Sequence, residues 1–274
     1  MLGAILGDII GSPYEFDRGE KTKAFELFDE RCESTDDSVM TVAIAIALMT
    51  AGPDADIETI KENCIKEMKR SGRQYPNSGY GGRFYWWVLG PDTEPYNSWG
   101  NGSAMRVSSA GWLYPTLEKT REVAAATAAV THNHPEGIKG AEAVAAVIWL
   151  ARNGKSKEEI KEYVTKEFKY NFSRTLDEIR PGYHHFEDCM HTVPEAITAF
   201  LEAEDFEDAI RNAVSIGGDT DTVAAITGSM AEAYFGIPEE LKKECIDRIP
   251  RGFEVACIRL RHMMREWGVM NDAK

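Results

Sequence analysis

Two short acidic clusters hold the side chains in this chain that are best suited to chemistry. They are Ser34-Thr35-Asp36-Asp37-Ser38 and Gly217-Gly218-Asp219-Thr220-Asp221-Thr222, and each stands at the head of a strongly apolar segment. Taken singly, such a cluster reads as a helix N-cap, because Ser, Thr and Asp accept bonds from the first free N–H groups and acids favour the positive end of the helix dipole. Residues such as Ser34 and Thr220 fit that capping role. Two clusters ask for more. If both helices are central, their N-termini can converge and gather up to four carboxylates, an arrangement strongly unfavourable at low dielectric without compensation. Hard divalent cations offset it, and Asp carboxylates with Thr hydroxyls are the oxygen ligands that Mg²⁺ or Mn²⁺ prefer. No thiolate or imidazole pair near either cluster points to zinc. Gly217 and Gly218 let the backbone approach closely at the second cluster.

The elements that must position these residues read as helices. Val39–Ala51, Glu122–Thr131, Gly140–Ala151 and Asp221–Phe235 are rich in Ala, Val, Ile and Met and apolar nearly all round, which predicts buried central helices. Ile57–Arg70, Lys155–Phe168, Glu239–Arg248 and Phe253–Trp267 carry an apolar stripe and a charged face, which predicts an outer layer. Strand signals are weak, with no alternating apolar runs joined by a tight Asn-Gly or Asp-Gly turn. The expectation is a compact, all-α, single-domain orthogonal helical bundle over residues 1–274, with a binuclear metal cleft. Gly-rich connections at Gly72–Gly82, Gly90–Gly102, His132–Gly140 and Ser215–Asp219 are where a helical protein tends to place its site.

Bulk properties narrow the partners. The chain has 274 residues, 43% hydrophobic and 28% charged, enough for a sizeable core. A formal net charge of −14 argues against a nucleic-acid backbone or an anionic membrane as the main partner. An anionic ligand is still compatible where metal ions or backbone N–H groups face it. Five scattered cysteines without a CxxC pair fit a reducing cytoplasm better than a disulfide framework. The opening Met1–Asp8 has no basic region and meets an acid too early for a signal peptide. The longest nearly apolar stretch, Val39–Ala51, falls short of the about 20 residues a membrane span needs. A soluble cytoplasmic monomer is expected.

Further candidates lie on the connections. Gly100–Arg106 reads as a loop entering a helix, where successive N–H groups can cradle an anion, or as a plain helix start capped by Asn101 or Ser103. His132 and His134, ahead of Pro135, read as polar residues on a loop. The aromatic run Tyr80–Trp87 reads as core, with a ring free to stack on a base as the alternative. A second aromatic loop, Arg180–Phe186, reads as a specificity rim.

Five stretches, in this order, resemble the ADP-ribosylglycohydrolase family: Gly3–Glu15, Ser34–Asp37, Gly100–Arg106, Thr131–Gly137 and Gly217–Thr222. Each is short; together they are specific. The resemblance implies an all-α fold and a binuclear Mg²⁺ or Mn²⁺ centre ligated by Thr35, Asp36, Asp37, Asp219, Asp221 and Thr222, with Thr220 capping the helix. It implies an acid at Glu15, a position that by itself reads as a solvated charge; its role stays open between ligand and acid/base. Asp36 and Asp37 are the other carboxylates available for proton transfer. It places the ligand's diphosphate on Asn101, Gly102, Ser103 and Met105, and the ribose and phosphate edge beside His134 and Gly137. The implied reaction is hydrolysis of the bond between ADP-ribose and an acceptor, on modified protein or a small ADP-ribosyl compound, with arginine leading and serine as the alternative. Two rivals stand beside it. One is a catalytically silent ADP-ribose-binding or structural member of the fold, and the other an unrelated Mg²⁺-dependent phosphohydrolase. The latter accounts for the aspartates but not for Gly100–Arg106 or His132–Gly137.

Overall fold

A computed structural model describes residues 1–270. Among them fifteen α-helices follow in order: α1 (Leu2–Gly11), α2 (Asp36–Ala51), α3 (Ile57–Gln74), α4 (Gly82–Leu89), α5 (Gly102–Met105), α6 (Ser108–Leu113), α7 (Leu117–Ala129) and α8 (Pro135–Arg152). The second half adds α9 (Lys157–Phe168), α10 (Leu176–Ile179), α11 (Cys189–Glu202), α12 (Phe206–Ser215), α13 (Thr220–Phe235), α14 (Glu239–Arg248) and α15 (Arg251–Glu266). The described residues form no β-strand beyond an isolated bridge between Gly100 and Asp188. The all-α expectation holds.

The predicted central helices are central. α2, α8 and α13 contribute Ala-rich, buried surfaces to one continuous apolar core. Side chains this small let the helices approach closely, so burial on all sides replaces an amphipathic stripe. The outer helices start where local chemistry satisfies their first N–H groups. Asp56 caps α3, and Ser156 with Glu159 forms a reciprocal capping box on α9.

One buried helix left little sequence signal. The Gly-rich opening is α1, with all ten residues buried. Its glycines recur every fourth position and face the backbone of α13. A Cβ added at Gly3 would lie 2.3 Å from the Gly228 carbonyl oxygen, at Gly7 2.0 Å from that of Ala224, and at Gly11 2.5 Å from that of Thr220. Rising numbers on one helix meet falling numbers on the other, so the pair is antiparallel. The C-terminal end of α1 therefore meets the N-terminal end of α13.

Two loop expectations shift. α3 runs on to Gln74, so the loop expected at Gly72–Gly82 is shorter and ends at α4, which includes most of the aromatic run. In α4, Phe84 and Trp87 are core while Trp86 is 73% exposed. α8 begins at Pro135, five residues before the expected Gly140. Pro suits the first helical position, and His134 Nδ1 accepts from the Glu136 N–H at 3.2 Å as the cap.

Candidate active site

Asp8 on α1 organises the first acidic cluster. Its Oδ2 accepts from the backbone N–H of Thr35 at 2.9 Å and of Ser38 at 3.0 Å, and from the Ser38 hydroxyl. Its Oδ1 accepts from the Thr35 hydroxyl at 2.7 Å. A carboxylate from one helix thus satisfies the N-terminal donors of another. Burial raises the Asp8 pKa to about 6 against the pull of these bonds. Thr35 is the local cap of α2, its Oγ1 accepting from the Asp37 N–H at 3.3 Å, so Asp36 and Asp37 lie inside the first turn instead of ahead of it.

The second cluster reaches the same place through α13. Thr220, expected as the cap, is the first helical residue, and its hydroxyl donates to the Gly11 carbonyl at 2.8 Å. That bond pins the end of α1. Asp219 takes the cap position but turns its carboxylate inward, where Oδ2 accepts from Asn101 Nδ2 at 2.6 Å. The turn needs Gly217 and Gly218 at φ +79° and +82°, a left-handed conformation that side chains resist.

The two clusters converge. Thr222 Oγ1 donates to Asp37 Oδ2 at 3.0 Å, while Asp37 Oδ1 is buried without a partner among the described residues. One carboxylate oxygen from each of Glu15, Asp219 and Asp221 lies within 4.8 Å of the others. Desolvation, then neighbouring carboxylates, with Asp221 first, push Asp36 and Asp37 well above the usual carboxylate range. Desolvation followed by Asp219 does the same to Asp221. Glu15 and Asp219 are each raised to about 7, Glu15 by desolvation and then Asp221, Asp219 by desolvation against the Asn101 bond. Buried acids held this way, with an orphaned oxygen among them, fit a hard cation with oxygen ligands.

These groups line a cavity of about 360 Å³. Glu15, Asp36, Asp37, Asp219, Asp221 and Thr222 line it, as do Asn101, Gly102 and Met105. Other predicted residues are engaged elsewhere. Thr35 is engaged with Asp8; Ser103 Oγ donates to the Gly137 carbonyl at 2.7 Å; His134 packs edge-on to Trp99 at 5.4 Å. None of Thr35, Ser103, His134 and Gly137 lines the cavity. His132 and Arg106 do line it, as do Phe16, Tyr96, His185 and Glu187. The Arg180–Phe186 loop therefore does contribute to the rim, through His185. Asp8 was findable in the sequence as the lone acid of an otherwise apolar opening; Phe16 and Glu187 carried no signal.

Fold and site define an all-α protein whose carboxylate cluster converges at helix N-termini. A family model for ADP-ribosylglycohydrolase matches residues 1–268, and the chain belongs to that family. It is 26% identical to the ADP-ribosylhydrolase ARH3 of Homo sapiens over 89% of this chain and 87% of that protein. It is 25% identical to the ADP-ribosylarginine hydrolase Tri1 of Serratia proteamaculans, covering 91% of this chain and 74% of that one. A solved chain titled ADP-ribosylglycohydrolase-related protein complex shares the fold, with a TM-score of 0.70, 24% identity and 96% of each chain covered. Family membership supports hydrolysis of ADP-ribosyl linkages. Among the described residues no helix is long and apolar enough to cross a membrane.

Proposed function

We propose that this protein removes ADP-ribose from a modified acceptor, with ADP-ribosylated arginine on protein as the leading substrate, using two divalent cations, Mg²⁺ or Mn²⁺. The observation that carries this reading is the convergence of Glu15, Asp36, Asp37, Asp219, Asp221 and Thr222 on one cavity, which Asn101, Gly102 and Met105 also line. Asp36, Asp37, Asp219, Asp221, Thr222 and Thr35 would hold the cations. Thr35 Oγ1 donates to Asp8 and accepts from one N–H, which leaves one lone pair for a ligand bond. Bound there, the cations supply Lewis acidity and a template for the ribose hydroxyls.

The protein's own part is binding, orientation and proton transfer. Water adds to the anomeric carbon as the bond to the acceptor atom breaks, and the departing atom gains a proton. Glu15, half-buried at the cavity and raised to about 7, is suited to exchange that proton near neutral pH. Asp36 and Asp37 are the other carboxylates in reach of this role. Asn101, Gly102, Ser103 and Met105 carry the diphosphate, with His134 and Gly137 shaping the loop behind it.

Arginine leads because the Tri1 relatives are named for it; the name ARH3 specifies no acceptor, and serine-linked or small ADP-ribosyl substrates are the alternative. A silent ADP-ribose-binding member is disfavoured because all six proposed ligand side chains are present. The test is release of ADP-ribose from arginine-modified and serine-modified protein, with and without EDTA. Release from the arginine substrate that EDTA abolishes is the expected result; release that survives complete chelation would sink the cation dependence, and release from serine alone the arginine preference.

A further inference from the structure

Glu15 faces Asp219 and Asp221 from the start of a long connection, since residues 15–35 form no helix before α2 begins. The backbone turns sharply just after it. Phe16 and Asp17 adopt φ +60° and +56° in succession, the left-handed region. Asp visits that region at small cost because its short polar side chain can bond nearby backbone. Phe has no such atom, so the surroundings must hold the turn.

The Asp17 carboxylate holds it. Its Oδ1 accepts from the Gly218 N–H at 2.9 Å and its Oδ2 from the His185 N–H at 3.3 Å. Neither N–H finds another acceptor among the described residues. The Asp17 N–H donates in return to the Gly218 carbonyl at 3.5 Å. One side chain thus joins three segments distant in sequence: the turn after Glu15, the glycine turn that leads into Asp219, and the rim loop. The fit at the glycine turn is close. A Cβ at Gly217 would lie 3.1 Å from Asp17 Oδ1, and one at Gly218 2.6 Å from the His184 carbonyl oxygen. An ionised acceptor bonds an amide more strongly than a neutral one, and a carboxylate offers an oxygen to each of two N–H groups where asparagine offers one. The rim loop has a second anchor in Lys21, whose Nζ donates to the Arg180 carbonyl at 3.2 Å and to that of Tyr183. Loss of Asp17 therefore frees the turn after Glu15 before it frees the rim. Asp17 itself does not line the cavity and reaches the site only through these neighbours.

We infer that Asp17 is a positioning residue: by accepting from the Gly218 and His185 amides it fixes the left-handed turn that aims Glu15 at Asp219 and Asp221. The inference rests on the proposed role of Glu15 in the hydrolysis.

The test is Asp17→Gly, which leaves the left-handed turn accessible and removes both acceptors. In amide exchange followed by NMR, the Gly218 and His185 N–H groups should lose at least about tenfold in protection while the helical core keeps its own. A crystal structure of the variant should show the Glu15 carboxylate displaced from Asp219 and Asp221. On the modified protein that the wild type cleaves, kcat should fall at least about tenfold with KM within about twofold, since a misplaced acid weakens the transition state and not ground-state binding. Lys23→Ala is the control. Lys23 pairs with Asp208 and ties the same connection elsewhere, so its loss should leave kcat as in the wild type. Unchanged exchange at both amides, a Glu15 carboxylate still in place, or an undiminished kcat overturns the positioning role. So does an equal loss of kcat in Lys23→Ala, which would reduce the effect to general ordering of the connection. A wild-type protein that cleaves neither the arginine-modified nor the serine-modified substrate overturns the proposed function and the kinetic consequence with it, while exchange and the crystal structure still decide the tie.

Discussion

Asp37 shows the demand of the site on a single residue. One oxygen takes the Thr222 hydroxyl and the other is buried with nothing to accept from. Asp219 is its counterpart on the other helix, held by Asn101 and facing Glu15 and Asp221. We expect Asp37→Ala and Asp219→Ala each to abolish ADP-ribose release while leaving the helical circular dichroism spectrum in place. Neither side chain is part of the apolar core, and each deletion removes a repelling carboxylate. Full activity in a folded variant would remove that aspartate from the proposed centre. Asp8 has a different task. It faces the donors at the start of α2 and sets where Asp36 and Asp37 lie. Its type and its apolar surroundings were visible in the sequence, but its partners lie 27 and 30 positions away and only the fold brings them into reach.

At the scale of elements, the contact between α1 and α13 aligns the site. Because the pair is antiparallel, the end of α1 delivers Glu15 to the start of α13, and Asp8 draws in the start of α2. Gly7 is the tightest point, with the prospective Cβ 2.0 Å from a carbonyl oxygen. Gly7→Ala should therefore destabilise the protein by at least about 1–3 kcal/mol in chemical denaturation, as overpacking of a fitted interface does. Gly252→Ala is the control. It lies exposed in α15 with nothing within 4 Å of the added methyl, and should be neutral or stabilising by up to about 1 kcal/mol. Equal losses in both variants would contradict the close-approach account. Glycine is a poor helix former in isolation, which is why α1 carried little helical signal while the Ala-rich α2, α8 and α13 were legible.

Over the whole molecule, the gathered acids make stability depend on pH and cations. The folded, cation-free protein keeps protons on Glu15 and Asp219 up to about pH 7, whereas ordinary carboxylates in an unfolded chain release theirs near pH 4. Between those values the folded state binds more protons, so stability falls as pH rises. In EDTA the melting temperature should decrease from pH 5 to 7.5. Saturating Mg²⁺ or Mn²⁺ binds the ionised form and should reverse that slope, adding roughly 5 °C at neutral pH when the cation exceeds its dissociation constant about a hundredfold. A melting curve insensitive to EDTA and to both cations would contradict this.

Much of the site could be read from residue type alone. Hard oxygen ligands in two clusters, each heading an apolar helix, pointed to cations, and five ordered motifs pointed to ADP-ribose. The caps Asp56 and Ser156 of the outer helices are local features too, each within three residues of its N–H partner. What only the tertiary structure decided was who faces whom. It turned Thr220 from a cap into a tether on Gly11, set Thr35 in place of Ser34 as the cap of α2, and brought His132, Phe16 and Glu187 to the cavity while leaving His134 and Gly137 out of its lining. Those outcomes depend on contacts between residues far apart in the chain, and such contacts leave no spacing or periodicity in a single sequence.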